Sequence, residues 1–65
     1  MDYRIWFFYS KENYFVDEMG DVIYDVYRYV PPNIVYLFKR NKEYMLFKNE
    51  NGIMIEMHYL DDDDY

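Results

Sequence analysis

A chain of 65 residues with no cysteine and a formal charge of −6 can build one small domain, and must do so without disulfides or thiolate metal sites. A domain of this length buries only about 60% of the surface its unfolded chain exposes, so a modest stability margin is expected. The acidic balance works against nonspecific attraction to nucleic acid or to an anionic membrane and favours a partner with a basic surface.

Apolar residues make up 52% of the chain, yet ten Tyr, five Phe and one Trp supply much of that content. Each ring can bury about 150–250 Å², so a few of them can replace a deep aliphatic core. Ten tyrosines cannot all face inward, and the remainder are expected to form an exposed aromatic surface of the kind that marks a binding face. No apolar run is long enough to cross a bilayer and no basic-then-apolar leader opens the chain, which together predict a cytoplasmic protein with no membrane partner.

In chain order, residues 3–9 form an aromatic and β-branched run that ends at the polar stretch Ser10, Lys11, Glu12 and Asn13, the signature of a strand followed by a turn. Residues 14–17 resume the pattern, Glu18, Met19 and Gly20 interrupt it, and residues 22–30 carry it on. This predicts a hairpin with Gly20 at positive φ. Pro31 and Pro32 then end the strand at a corner. Three further runs, 34–38, 44–47 and 53–60, complete six short strands, an all-β antiparallel meander or small barrel or sandwich over residues 1–60 with an acidic tail at 61–65. The alternative is an α+β fold with a helix at 21–30, because Val22, Ile23, Val26, Tyr27 and Val30 also fall at helical spacing behind Asp21. Offsetting the chain by about half its length pairs Phe7 with Phe38, Lys11 with Lys42 and, after one inserted residue, Gly20 with Gly52, the pattern of two similar three-stranded halves.

Successive strand residues point to opposite faces. In the first strand Tyr3, Ile5, Phe7 and Tyr9 oppose Arg4, Trp6 and Phe8, and in the last Ile53, Ile55, Met57 and Tyr59 oppose Met54, Glu56, His58 and Leu60. Both faces are apolar. The sheet is therefore expected to close into a barrel, pair with another copy, or present its second face to a partner.

The chemical inventory holds one His, one Ser, no Cys and no Thr, from which nucleophile, base and orienting group are hard to assemble. No catalytic, metal or cofactor residue is assigned. His58 and Ser10 are expected to be structural, and the run Asp61, Asp62, Asp63 and Asp64 lacks the spacing of a calcium loop. Lys39, Arg40 and Lys42 near Tyr36, Phe38 and Tyr44 could in principle serve a nucleic-acid-stacking sheet, but direct nucleic-acid binding must overcome the overall charge.

The candidate partner-binding set is the acidic tail Asp61, Asp62, Asp63 and Asp64, the hairpin carboxylates Asp17, Glu18, Asp21 and Asp25, and the tyrosines Tyr24, Tyr27 and Tyr29. Carboxylates offer a basic groove the charge that phosphates would, and rings offer desolvated anchors. In composition alone the chain is similar to phage-encoded inhibitors such as anti-CRISPR and other host-takeover proteins. The reading is a non-enzymatic, inhibitory protein-binding module for a basic, nucleic-acid-handling host protein. The alternatives are a structural or oligomeric subunit of a larger assembly, or a β-sheet nucleic-acid-binding protein.

Overall fold

The computed structural model describes residues 2–60. They form one five-stranded mixed sheet in the order β3-β2-β1-β5-β4, with two helices on one face. The strands are β1 (Tyr3–Tyr9), β2 (Tyr14–Asp17), β3 (Val22–Ile23), β4 (Met45–Lys48) and β5 (Met54–Leu60), and the helices are α1 (Val26–Tyr29) and α2 (Pro32–Asn41).

Residues 34–38 are helical rather than a strand, and residues 22–30 divide into the two-residue β3 and the single turn of α1. The prolines decide the first point. Pro32 stands at the first helical position, where the missing N–H is not needed and the fixed φ already suits a helix. Ile34, Val35 and Phe38 then fall on one helical face; Val35 and Phe38 are buried while Tyr36 and Leu37 are exposed, a division that period-two alternation cannot produce. Lys39 and Arg40 occupy the last turn, complementing the helix dipole, and Lys42 ends the helix in the left-handed conformation with its N–H bonded to the Phe38 carbonyl at 3.0 Å.

The second departure is directional. β1 pairs with β2 in antiparallel fashion but with β5 in parallel, from Tyr3 opposite Met54 to Tyr9 opposite Leu60. A parallel pair needs a crossover, so the sheet is not a meander. It is also not closed: β3 and β4 are its two edges.

The core lies between the sheet and the helices. Trp6 and Phe8 of β1, Phe15 of β2, Ile55 and Met57 of β5, and Val30, Val35 and Phe38 from the helical layer form one buried cluster. Its centre is aromatic: Phe8 and Phe15 have ring centroids 4.8 Å apart, and Phe38 lies 5.7 Å from Phe15 and 5.8 Å from Tyr59. Tilted ring pairs at these distances add to area burial. The alternation expected for β1 and β5 holds.

The proposed half-to-half repeat does not extend to secondary structure, since Phe7 is in a strand and Phe38 in a helix. It survives in the turns. Gly20 and Gly52 have φ of 90° and 82°, and each ends an identical bond pattern. The Gly20 and Gly52 N–H groups bond the Asp17 and Asn49 carbonyls, and the Asp17 and Asn49 N–H groups bond the carbonyls of Asp21 and Ile53. The side-chain oxygens of Asp17 and Asn49 each accept two further backbone N–H groups, from Met19 and Asp21 in one turn and from Asn51 and Ile53 in the other. A tight turn closed by a left-handed glycine is a common hairpin solution.

Candidate functional site

Because β2 reaches only as far as Trp6 along β1, residues 3–5 have no strand neighbour on that side among the described residues. A groove of about 740 Å³ opens there. Five of the sequence-predicted residues line it: Asp17, Glu18, Tyr24, Asp25 and Tyr29. Asp21 closes the adjacent turn opposite Asp17 and is exposed, while Tyr27 borders separate grooves beside the helices. Residues 61–65, and with them Asp61, Asp62, Asp63 and Asp64, lie outside the described residues.

These side chains divide by what they already do. Asp17 closes its turn as described, and Glu18 accepts the otherwise unpaired Ile5 N–H at 3.1 Å. Tyr29 is half-buried: its ring meets Trp6 edge-on at 6.1 Å and carries the Arg4 guanidinium 4.6 Å above its centroid. Arg4 is also bonded to Asp2 at 3.0 Å, and Asp2, then Tyr29, raise its already high pKa. Tyr24, by contrast, is 91% exposed, and Asp25 stands at the start of α1 with its side chain bonding none of the helix N–H groups. Of the sequence-predicted residues in the groove, Tyr24 and Asp25 are thus the ones whose side chains contribute least to the fold. Arg4 was not among the sequence-predicted residues; its place depends on Tyr29 arriving from the helical layer.

Of the rings beside the basic stretch, Tyr36 and Tyr44 are exposed. Phe38 is completely buried, and the Lys39 ammonium lies 4.9 Å above the Phe8 ring while bonding the Asn13 side chain at 3.1 Å. Arg40 bonds the Tyr36 hydroxyl. These cations sit at the end of α2, in the helical layer and not on the open sheet.

The opposite face of the sheet bears Tyr3, Ile5, Phe7 and Tyr9 of β1, flanked by Tyr14, Val16 and Val22 on one side and by Met54, Glu56, His58, Leu60, Leu46 and Lys48 on the other. No helix covers it. Near its centre the Tyr3 hydroxyl donates to Glu56 Oε1, His58 Nε2 lies 2.5 Å from Glu56 Oε2, and the His58 ring stacks on Phe7 at 5.5 Å and meets Tyr44 at 5.2 Å. Glu56 and His58 share a face by strand alternation, but Tyr3 joins them only through the parallel pairing of β1 with β5.

The Tyr3 bond, followed by His58, lowers the Glu56 pKa, and the same bond pushes Tyr3 from 10.0 up to about 12. A depressed carboxylate contributes stability above its unfolded-state value, and that contribution fades as pH falls through the folded one; a raised phenol contributes below its unfolded value and fades as pH rises through the folded one. Tyr3→Phe should therefore move the Glu56 carboxyl titration upward in an NMR pH series and remove one late-titrating phenol from the absorbance curve. An unchanged Glu56 midpoint would show that the hydroxyl bond is not maintained in solution.

No helix among the described residues is long and apolar enough to cross a membrane, and these residues hold no group of three or more His, Asp or Glu side chains placed to bind a metal ion. No family model, curated protein or solved structure matches this chain.

Proposed function

We propose that the protein is a non-enzymatic protein-binding module whose acidic, tyrosine-bearing groove receives cationic side chains of a basic partner. The observation that supports this reading is the convergence of Asp17, Glu18 and Asp25 with Tyr24 and Tyr29 on one groove. Carboxylates attract and orient a basic surface, and exposed tyrosine supplies contact area at low conformational cost. In such a groove an incoming Lys or Arg finds both a counter-charge and a ring. By presenting carboxylates where phosphates would lie, the module would act as an inhibitor, of phage or mobile-element type, that occupies the nucleic-acid-binding surface of a cytoplasmic host protein.

The test is competitive capture. Immobilised protein should retain from nuclease-treated host lysate a nucleic-acid-binding protein that single-stranded DNA displaces. Tyr24→Ala combined with Asp25→Asn, both on exposed side chains, should weaken that capture by about 2 kcal/mol, or roughly thirtyfold, with the circular dichroism spectrum unchanged. Equal capture by the variant, or capture indifferent to nucleic acid, would overturn the proposal.

A further inference from the structure

β1 and β5 are apolar on both faces, but the helices cover only one. Three large side chains of this uncovered face are exposed, Tyr3 at 49%, Leu46 at 47% and Tyr14 at 39%, while Ile5, Phe7, Tyr9 and Leu60 are half-buried and Val16 is buried. Apolar surface left in water in this way marks a contact surface, and its charges indicate the occupant. Whereas the whole chain carries −6, the ionisable groups that the described strands place on this face, other than tyrosine phenols, are Lys48, Glu56 and His58, with Glu18 bordering it at the β2 edge through its bond to the Ile5 N–H, and Glu56 is already engaged by Tyr3 and His58. A strongly basic partner has little to grip here, and an apolar surface of the same kind fits better.

We propose that this face is the contact surface of a homodimer, with two copies stacked sheet to sheet about a two-fold axis that runs along β1. β1 is the middle strand of the five, so that axis lays the β4 edge of one copy over the β2–β3 edge of the other. The edges are complementary at matching height. Lys48 pairs with Met54, which pairs with Tyr3, at the start of β1. On the far side Glu18 bonds the Ile5 N–H, at the same end of the same strand. The two-fold therefore brings each Lys48 toward the partner's Glu18, while Phe7 meets its own copy at the axis. Self-complementarity of this kind is what a closed two-fold interface requires, and sheets stacked about 10 Å apart with strands within about 30° satisfy it. A face this narrow lies at the low end of specific interfaces, below about 1,200 Å² in total, so the dimer is in exchange with monomer.

Sedimentation equilibrium of the full chain should show the mass climbing from 8.3 kDa toward twice that value as concentration rises from micromolar to millimolar. Phe7→Asp, or the less buried Leu46→Asp if the first fails to fold, should hold the chain monomeric throughout. Lys48→Glu and Glu18→Lys should each weaken self-association about tenfold, because each homodimer then opposes like charges twice. Mixing the two variants should restore the dimer, because both cross-pairs are then opposite in sign. A wild-type chain that stays monomeric at millimolar concentration, a dimer indifferent to Leu46→Asp, or variants that do not rescue each other would overturn the proposal.

Discussion

Truncating Phe38 to alanine is expected to cost about 3–5 kcal/mol. For a chain of 65 residues the whole stability margin is about 3–10 kcal/mol, so the variant should populate the unfolded state at room temperature. The size of the effect follows from position. Phe38 is fully buried and its ring lies against Phe8, Phe15 and Tyr59, with centroids 6.1, 5.7 and 5.8 Å away. It joins the helical layer to three strands at once, and the space left behind could close only if all of them moved. Tyr36→Ala, on a side chain 60% exposed, should lie within about 0.5 kcal/mol of the parent. The pair of variants also tests the helix. A strand would place Tyr36 and Phe38 on the same face, and both truncations would then be costly. Urea unfolding followed by circular dichroism measures both.

Replacing Asn49 with alanine is expected to remove about 2 kcal/mol, the loss for leaving backbone groups without a partner. Its Oδ1 accepts the Asn51 and Ile53 N–H groups at 2.9 and 3.0 Å, and its Nδ2 donates to the Tyr29 carbonyl at 3.3 Å. The side chain thus closes the β4–β5 turn and ties it to the end of α1. Asn49→Asp should recover most of the turn, because Asp17 performs the same task before Gly20 with bonds of 2.9 and 3.0 Å, but not the bond to Tyr29. Hydrogen exchange at Asn51 and Ile53 should accelerate in Asn49→Ala and stay close to the parent in Asn49→Asp. Equal exchange in all three would show that the turn is held by its backbone and glycine alone.

The two turns illustrate what local sequence can carry. Asp17-Glu18-Met19-Gly20 and Asn49-Glu50-Asn51-Gly52 close the same way because an Asx side chain and a left-handed glycine act within five residues of chain. The face pattern of β1 and β5 was equally legible, since alternation is a property of a single strand. The run at 34–38 was not. Five consecutive apolar residues suit a strand or a buried helix equally well, and what separates them is the proline at the first helical position together with the strands that accept Val35 and Phe38. The candidate groove was legible as a list of hairpin carboxylates and tyrosines, but not as a division of roles, because Glu18 acquires its structural task from Ile5 and Tyr29 acquires its own from Arg4 and Trp6.

By itself, then, the sequence determined the strand faces, the glycine turns, the aromatic character of the core and an excess of negative charge, all of which arise from residue type and spacing over a few positions. Only the tertiary structure decided that β1 lies parallel to β5, that α2 covers one face of the sheet and leaves the other open, and that Tyr3 meets Glu56 across 53 positions of chain. Those outcomes depend on which surfaces bury each other most completely, a competition among distant segments that local periodicity does not record.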